Sequence, residues 1–342
     1  MPSTLSQEAK PLARDDGRVP STSRESTWVI VLAGGDGTRL QHWTRTAGGI
    51  AVPKQFCRFR PERSLLAATL ARARRLAKPD HILVLVNQAH RAWWSPELCD
   101  LPEDNVLAQP RNRGTAVAIL HALVRVLVRD DAPAIVLLPS DHDVEAEGPF
   151  TTGIQQAMSE AQRLPDHPVL LGVTPTHPDP GLGWIVAAAA RGEASQAVVS
   201  FVEKPTLAVA SRLMGWGALW NSFVLASSST ALFRLYEDTQ PTLLEMYFQG
   251  LSYTQGKSDA LLRLYRMLPS RDFGTDVLQQ LPQRLRVVTA PACGWVDLGT
   301  PERVSAWLER HRDSPLWQSI ETARPGPAMG PALEHSPGPP IG

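Results

Sequence analysis

A glycine-rich loop that directly follows an apolar run constrains the fold of this 342-residue chain more than any other feature. The apolar run, residues 28–33, predicts a buried strand, and glycines follow it at Gly34, Gly35 and Gly37. Glycine tolerates backbone conformations closed to other residues and lets backbone N–H groups approach a ligand closely, which suits phosphate. The pattern predicts a strand that leads into a phosphate-binding loop.

This loop matches neither of the two common nucleotide-binding motifs. No Gly-Lys-Ser/Thr sequence ends it, so it is not a Walker A motif. It is also a poor dinucleotide motif, because Leu40 stands where a third small residue belongs and Asn87, not an acid, ends the second predicted strand. Taken alone, the loop also fits a simple glycine turn between a strand and a helix.

Short β-branched runs alternate with helix-like segments along the chain. In the first half, residues 28–33, 81–86 and 134–138 predict strands, and residues 64–77 and 114–128 predict helices. The second half adds predicted strands at 168–173, 184–189, 197–202 and 285–289, and predicted helices at 206–214, 230–236 and after Pro301. This alternation predicts an α/β fold with a Rossmann-like, mostly parallel mixed sheet and helices on both faces.

The charge balance and the cysteines limit the partners and the compartment. The chain has 34 basic and 34 acidic residues, so no net charge favours nucleic acid or a membrane surface. No run of about 18 apolar residues is present, so no membrane span is expected. Cys57, Cys99 and Cys293 lack metal-ligand spacing, which fits free thiols in a reducing compartment. We expect a cytoplasmic protein that binds neither nucleic acid nor membranes.

Two cations lie close to the glycine-rich loop. Arg39 follows the loop directly, and Lys54, within the Val-Pro-Lys-Gln-Phe sequence of residues 52–56, is the only lysine between Lys10 and Lys78. Together they can balance the charge of a triphosphate, the arginine through a forked pair of hydrogen bonds and the lysine as a compact charge. Two solvated surface cations are the alternative.

The loop and the lysine motif, taken in order, resemble the signature of the sugar-1-phosphate nucleotidyltransferases, also called nucleotide-sugar pyrophosphorylases. The Pro-Lys-Gln-Phe form is similar to their mannose-1-phosphate guanylyltransferase branch, and the resemblance spans about residues 28–310. It implies a fold of the nucleotide-diphospho-sugar transferase type and catalytic roles for Arg39 and Lys54. It also implies that the loop contacts the nucleotide through Ala33, Gly34, Gly35, Gly37 and Thr38.

The segment of residues 109–116 resembles the base-binding segment of that family. The resemblance implies nucleotide contacts from Gln109, Asn112, Gly114 and Thr115, with the Gln109 amide facing a guanine edge. A simple helix start is the alternative, because Asn112 and Thr115 both suit a helix N-terminus.

Two carboxylates are candidates for a metal site. Asp141 follows the predicted strand 134–138, at the strand end where open α/β sheets bind ligands, and its Pro-Ser-Asp-His turn resembles the family's Pro-Ala-Asp-His turn. Asp297 lies in a turn that resembles the family's Gly-Trp-Ser-Asp motif, with Val296 as the departure. Two carboxylates with phosphate oxygens and water suit Mg²⁺. An Asx turn at Asp141, or paired acids for glycoside hydrolysis, are the alternatives.

Three further motifs between these carboxylates resemble the family's sugar-phosphate pocket. The resemblance implies that Gly183 lets the backbone approach the sugar and that Glu203 accepts hydrogen bonds from its hydroxyls. It implies that Lys204 binds the phosphate and that Asn221 contacts the ring. A turn glycine, an ion pair at a strand end and a capping asparagine are the ordinary explanations when each motif is taken singly.

The resemblance implies a reaction. A sugar 1-phosphate, expected to be mannose 1-phosphate, attacks the α-phosphorus of a nucleoside triphosphate, expected to be GTP, and gives a nucleotide sugar and pyrophosphate. Glucose 1-phosphate with a uridine or thymidine nucleotide is the nearest alternative. A non-catalytic regulator that binds nucleotide sugar is another, although its charged site residues would be expected to be lost. Homo-oligomerisation stays open.

The two chain ends differ in composition from the middle. Residues 1–26 are polar and lack the apolar stretch of a signal peptide, which predicts a disordered leader. Residues 324–342 are rich in Pro and Gly, which predicts a disordered tail. Residues 27–312 are predicted to form a single catalytic domain, with a nucleotide-binding half over 27–145 and a sugar-phosphate half over 146–312. We expect no additional isomerase domain.

Overall fold

The computed structural model describes residues 26–41, 43–45, 49–190, 192–254 and 259–316. The predicted tail and all of the predicted leader except Ser26 lie outside these residues. Within them, no helix has the length and apolar character that crossing a membrane requires. Cys57, Cys99 and Cys293 are free, as the sequence predicts.

In the described part of the chain, nine strands form one mixed sheet in the order β3-β2-β1-β4-β9-β6-β10-β8-β7, and β5 pairs with β11 in a second, small sheet. The strands are β1 Thr27–Ala33, β2 Ile82–Asn87, β3 Val106–Gln109, β4 Ala134–Pro139, β5 His142–Val144, β6 Val169–Val173, β7 Trp184–Ala187, β8 Gln196–Val202, β9 Leu219–Ser228, β10 Arg286–Thr289 and β11 Trp295–Asp297.

Helices cover both faces of the large sheet. They are α1 Leu65–Leu76, α2 Arg91–Glu97, α3 Gly114–Leu127, α4 Glu147–Arg163, α5 Leu207–Gly215, α6 Ser229–Thr239, α7 Pro241–Thr254, α8 Ala260–Met267, α9 Phe273–Asp276 and α10 Pro301–Arg310. One core lies between the sheet and α3, α6, α7 and α8, and the other between the sheet and α1, α4 and α5. The α/β class with two covered faces is confirmed.

The residues of β1 show why the sheet needs helices on both sides. Trp28 and Ile30 belong to one core, whereas Val29, Val31 and Ala33 belong to the other, because successive side chains of a strand point to opposite faces. All five are buried. A strand that is apolar on both faces is stable only when both faces are covered.

Parallel pairing is concentrated in the first half of the chain. Strands β1, β2, β3 and β4 pair in parallel, whereas β9 runs antiparallel to both β4 and β6 and so joins the two halves of the sheet. The sequence analysis did not identify β9 as a strand. Its polar residues obscure the apolar pattern, although Ser222 is buried and donates from Oγ to the carbonyl of Leu171 at 2.6 Å.

This topology positions the candidate site residues. The carboxyl ends of β1, β3 and β4 lie at one edge of the sheet, and they carry the glycine-rich loop, Gln109 and Asp141 respectively. The β5–β11 pairing then sets Asp297 directly opposite His142, the residue after Asp141. Residues more than 150 positions apart in the sequence thereby meet at this edge.

Candidate active site

Lys54 lies buried between the two predicted metal-ligand carboxylates. Its Nζ is 2.9 Å from Oδ2 of Asp141 and 3.2 Å from Oδ1 of Asp297, and the residue is 5% exposed. Burial acts to lower the pKa of Lys54, but the two carboxylates outweigh it and the pKa is raised. Lys54 therefore stays charged and holds the carboxylates together.

The lysine segment is fixed to the glycine-rich loop by its neighbour in the same motif. Gln55 donates from Nε2 to the carbonyls of Ala33 and Gly35, both at 2.9 Å. Gly37 has a φ of 59°, and a Cβ at that position would lie 3.2 Å from the backbone nitrogen of Lys54. The loop and Lys54 thus form one unit. The sequence analysis assigned no role to Gln55, whose partners are backbone atoms about 20 residues away.

The acidic cluster contains Asp141, His142 and Asp297, each with one ligand atom within 4.8 Å of the others. Nδ1 of His142 accepts a hydrogen bond from Nε1 of Trp295 at 3.2 Å, and its Nε2 lies 3.4 Å from Asp141 Oδ1. The neutral tautomer that satisfies both contacts carries its proton on Nε2. Its lone pair is then already engaged by Trp295, so the two carboxylates, which also bind Lys54, are the candidate metal ligands of this cluster.

A cavity of about 340 Å³ opens next to the glycine-rich loop, and it is named the base-side cavity because Gln109, in the segment expected to bind the base, lines it. Gln109 lies on its wall, and a Cβ at Gly34 would lie 2.8 Å from Gln109 Nε2, so glycine at this position lets the loop lie directly against the amide. Tyr265 donates from its hydroxyl to Gln109 Oε1 at 3.3 Å. The amide oxygen is thereby occupied, and the NH₂ group is the side that faces the loop.

Asp36 holds the glycine-rich loop against the neighbouring strand ends. Asn87 donates to its Oδ1 at 2.8 Å and Asn112 to its Oδ2 at 3.0 Å. Asn112 also accepts the backbone N–H of Gly114 at 2.9 Å. Asn87, at the end of β2, therefore holds the glycine-rich loop through Asp36. A dinucleotide motif would have an acid at this position.

The start of α3 is constrained by its contact with α9. Gly114 has a φ of 81°, and a Cβ there would lie 2.1 Å from the carbonyl oxygen of Arg271, so glycine is required. Thr115 accepts the N–H of Phe273 at 2.8 Å and donates to Asp272 at 3.2 Å. The side chain of Thr115 thus does not cap its own helix but joins α3 to α9.

A second cavity, of about 370 Å³, lies on the other side of Asp141, and it is named the sugar-side cavity because the residues expected to bind the sugar phosphate line it. Glu203 lines it, with Oε1 3.0 Å from Lys204 Nζ and with Oε2 buried and lacking a hydrogen-bond partner among the described residues. A Cβ at Gly183 or at Gly274 would lie within 2.8 Å of that Oε2. Burial raises the pKa of Glu203. Two glycines therefore make room for a carboxylate oxygen that a ligand hydroxyl can satisfy.

The backbone of this cavity contains two uncommon conformations. Among the described non-glycine residues, Lys204 and Phe223 have positive φ, at 45° and 61°. Asn221 accepts the N–H of Phe223 through its side chain and donates its own N–H to the carbonyl of Gly183 at 2.8 Å. Such conformations persist only where surrounding contacts fix them, and they cluster at functional sites.

Arg303, in the first turn of α10, contacts the second oxygen of Asp297. Its Nη1 lies 2.7 Å from Asp297 Oδ2, and its Nε and Nη2 form a forked pair with Asp179 at 2.8 and 2.9 Å. Burial acts to raise the pKa of Asp297, but the charges of Lys54 and Arg303 outweigh it and hold the pKa well below its usual range. The Asp297 carboxylate is therefore ionised.

Every site residue predicted from the sequence lines one of the two cavities. The base-side cavity is lined by Ala33, Gly34, Gly35, Gln109, Asn112, Gly114, Thr115 and Asp141. The sugar-side cavity is lined by Gly37, Thr38, Arg39, Lys54, Thr115, Asp141, Gly183, Glu203, Lys204, Asn221 and Asp297. Asp141 and Thr115 line both, so they mark the junction of the two cavities.

A family model described as nucleotidyl transferase matches residues 28–311. The chain belongs to the nucleotidyl transferase family. The match covers the strand before the glycine-rich loop, both carboxylate turns and α10. All the site residues described above lie within the matched residues.

Several known proteins resemble the chain over most of its length. It is 31% identical over 279 residues to the xanthan biosynthesis protein XanB of Xanthomonas campestris pv. campestris (strain B100), a match of 79% of this chain and 57% of that protein. It is 27% identical over 303 residues to a mannose-1-phosphate guanylyltransferase of Escherichia coli, with coverages of 84% and 60%. These matches confirm the resemblance to the mannose-1-phosphate guanylyltransferase branch. The chain spans less than two thirds of the length of these curated relatives.

A solved structure supports the same fold. The crystal structure of a protein described as mannose-1-phosphate geranyltransferase from Thermus thermophilus is similar with a TM-score of 0.68 at 26% identity. The similarity covers 80% of this chain and 76% of that chain. The fold predicted from the sequence, of the nucleotide-diphospho-sugar transferase type, is confirmed.

Proposed function

We propose that this chain transfers a guanylyl group from GTP to mannose 1-phosphate, giving GDP-mannose and pyrophosphate. The observation that carries the proposal is the pair of cavities that meet at Asp141, with Lys54 buried at the junction. Two substrates that react with each other need two adjoining sites and a charged group between them. The name of the Escherichia coli relative supports the choice of substrates.

The reaction requires alignment more than proton transfer. A phosphate monoester, with a second pKa of about 6, is largely dianionic at neutral pH and needs no general base. Its oxygen forms a bond to the α-phosphorus of GTP, while the bond from that phosphorus to the bridging oxygen of the β-phosphate breaks. The electron pair leaves with pyrophosphate. Holding the two substrates in line supplies much of the rate enhancement.

The cations of the site would balance the charge of the reacting phosphates. Lys54 lies at the junction of the cavities, and Arg39 is exposed in the sugar-side cavity next to Thr38 and Gly37. We assign these two to the charge that develops on the leaving pyrophosphate. Lys204, half-exposed beside Glu203, is assigned to the phosphate of mannose 1-phosphate.

Asp141 and Asp297 are the residues that would hold a Mg²⁺ ion. Their carboxylate oxygens are close together, ionised and of the ligand type that Mg²⁺ prefers, so the donor set fits the ion. When bound, Mg²⁺ supplies positive charge that offsets the repulsion between the two phosphate groups. Lys54 keeps both carboxylates in place at this position.

The orientation of Gln109 supports a base with a carbonyl group at its edge. The amide presents N–H donors to the base-side cavity, because its oxygen accepts the hydroxyl of Tyr265. Guanine O6 accepts such a donor, whereas the amino group of adenine at the same ring position does not. Uracil and thymine also present an acceptor there, so the choice of guanine rests on the relatives.

Three further features stay predictions. They are a single catalytic domain over residues 27–312, a cytoplasmic location and the formation of a homo-oligomer, which the sequence leaves open. The nine-stranded sheet extends across both halves of that range, which supports the first.

A pyrophosphate-release assay tests the proposed function. Purified protein with Mg²⁺ is offered each nucleoside triphosphate with mannose 1-phosphate or glucose 1-phosphate, and we expect the highest kcat/KM for GTP with mannose 1-phosphate. Asp141→Asn and Asp297→Asn should lower kcat far more than they raise KM. Asp143→Asn is the matched control, because Asp143 binds Arg60 and Trp307 and lines neither cavity.

Two outcomes contradict the proposal at different levels. Near-wild-type kcat in both site variants at saturating magnesium would reject the metal-ligand assignment. No turnover with any substrate pair would favour a regulator that binds nucleotide sugar without catalysis.

A further inference from the structure

The Arg303 guanidinium connects two parts of the site that lie far apart in the sequence. It binds Asp297 on the metal-ligand turn through Nη1, and it binds Asp179 through Nε and Nη2. The side chains of Arg303, Asp179 and Asp297 are only 11%, 9% and 17% exposed. Ion pairs shielded from water in this way hold their geometry better than surface pairs.

Asp179 in turn shapes the loop that carries Gly183. Its Oδ1 accepts the N–H of Gly181 at 2.7 Å, and its carbonyl accepts Nε1 of Trp184 at 2.9 Å. A Cβ at Gly181 would lie 2.4 Å from Nη2 of Arg303, so the loop packs directly on the guanidinium. The conformation of the loop over residues 179–184 therefore depends on this pair.

The same guanidinium determines which oxygen of Asp297 faces the substrates. Arg303 occupies Oδ2, which leaves Oδ1 towards Lys54 and the acidic cluster. Three other arginine forks in the described residues, Arg60 with Asp143, Arg72 with Glu147 and Arg163 with Glu160, contact neither Asp297 nor the loop. Arg303 thus differs from the other arginines because it joins Asp297 to the loop that contains Asp179.

We propose that Arg303 is a positioning residue that couples metal binding at Asp297 to sugar 1-phosphate binding at the loop of residues 179–184. The proposal rests on the proposed function, because that function assigns a ligand to each side. A sugar phosphate that orders the loop also holds Asp179 and Arg303, and so holds Asp297 in the orientation that a metal needs. The coupling is reciprocal, since each ligand must raise the affinity for the other by the same factor.

The coupling is measured with Mn²⁺ as the probe. Free Mn²⁺ is followed by electron paramagnetic resonance, with and without saturating mannose 1-phosphate, in the wild type and in Asp179→Asn, Arg303→Lys and Arg60→Lys. We expect mannose 1-phosphate to tighten Mn²⁺ binding to the wild type about tenfold, within the usual range for coupled sites. In Asp179→Asn and Arg303→Lys the enhancement should fall to about twofold or less.

The variants separate the coupling from simpler effects. Asp179→Asn leaves every atom of the metal-ligand cluster unchanged, so its Mn²⁺ affinity without sugar phosphate should equal that of the wild type. Direct attraction between Mn²⁺ and phosphate persists in all variants. Asp179→Asn and Arg303→Lys therefore lose only the part of the Mn²⁺ affinity enhancement that is transmitted through Arg303. Arg60→Lys weakens a similar fork outside the site and should keep the wild-type enhancement. In steady-state assays, Arg303→Lys should raise KM for mannose 1-phosphate and leave KM for GTP nearly unchanged.

Retention of the full enhancement in both Asp179→Asn and Arg303→Lys would overturn the inference. An equal loss in Arg60→Lys would overturn it as well, because a general loss of stability would then explain the data. A wild type that turns over substrates but shows no enhancement would reject the coupling and leave the proposed function intact. A wild type that shows the enhancement but no turnover would reject the proposed function alone.

Discussion

The base-side and sugar-side cavities are similar in size, about 340 and 370 Å³, but they are built from different kinds of residue. Glycines, neutral amides and apolar side chains make up most of the base side, and its two acidic residues, Asp141 and Asp272, also line the sugar side. The sugar side contains the charged groups Arg39, Lys54, Glu203, Lys204 and Asp297. Under the proposed function, the base-side cavity would select the base by shape and hydrogen bonding, and the charged groups of the sugar-side cavity and the junction would stabilise the reacting phosphates.

The topology explains this division. Parallel strands bring their carboxyl ends to one edge, so the backbone of the glycine-rich loop and the Gln109 side chain are placed there directly. The antiparallel strands β7, β8 and β9 have no such common edge. On β9, Asn221 is held by its contact with Gly183, and the loop before β7 is held by the contact of Asp179 with Arg303.

The largest effect is expected at the junction. Lys54→Met keeps the bulk of the side chain but leaves the Asp141 and Asp297 carboxylates without their shared cation. We expect kcat to fall about 10²- to 10³-fold, the usual loss when one preorganised charged group is removed from a reacting centre. Steady-state pyrophosphate release measures kcat, and circular dichroism shows whether the fold is retained. A fall in kcat of less than about tenfold would show that Lys54 is not a main source of charge stabilisation.

The second-largest effect is expected from Glu203→Gln, on substrate binding in the sugar-side cavity alone. Glu203→Gln removes the charge of a buried carboxylate whose Oε2 lacks a partner among the described residues. KM for mannose 1-phosphate should rise about tenfold or more, since a hydrogen bond to a charged group contributes about 1.5–3 kcal/mol. KM for GTP should not change.

Glu160→Gln is the control for that substitution. Glu160 is also buried, but it binds Ser195 and Arg163 and lines neither cavity. An equal rise of both KM values in Glu203→Gln would contradict the division between the cavities.

A smaller effect is expected from Tyr265→Phe, on the choice of base in the base-side cavity. Burial raises the pKa of the Tyr265 hydroxyl, so it stays protonated and donates to Gln109. Tyr265→Phe frees the amide to turn, and the preference for GTP over ATP should fall about fivefold, the value of one neutral hydrogen bond of about 1 kcal/mol. The ratio of kcat/KM for the two triphosphates measures it.

Tyr247→Phe provides the matched control. Tyr247 is equally buried, but its hydroxyl lies 2.6 Å from Nδ1 of His121. The Tyr247→Phe variant should therefore be less stable but keep its base preference. An unchanged preference in Tyr265→Phe would show that shape alone selects the base.

The smallest effect is expected at Ser140, where the family motif has alanine. Its Oγ donates to the carbonyl of Leu32 at 2.8 Å, and its backbone N–H donates to the same oxygen at 3.2 Å. Ser140→Ala should lower the free energy of unfolding by about 1 kcal/mol or less, because the carbonyl keeps one donor. Urea denaturation measures this, and kcat should be unchanged. A large loss of kcat would give Ser140 a role that the structure does not suggest.

Much of the fold and the site could be predicted from the sequence, because local patterns specify them. The glycine-rich loop, the Lys54 motif and both aspartates carry their chemistry in short segments, and the structure places all of them on the two cavities. The strands β1, β2 and β4 are continuous apolar runs, which is typical of a parallel sheet covered on both faces.

The residues that connect these motifs could not be predicted, because their partners lie far away in the sequence. Arg303 binds Asp179 across 124 positions, and Tyr265 binds Gln109 across 156. No local pattern marks such a residue, since an arginine in the first turn of a helix is usually explained by solvent exposure. The strand β9 was missed for a related reason, because its buried Ser222 is satisfied by a hydrogen bond to Leu171 of the distant strand β6.

The most direct test is a crystal structure of the protein with GDP-mannose. The account predicts guanine in the base-side cavity against Gln109, mannose between Gly183 and Glu203, and the diphosphate beside Asp141. Guanine in the sugar-side cavity would contradict it. So would a ligand bound instead in the larger neighbouring cavity of about 1070 Å³ lined by Trp220 and Arg310.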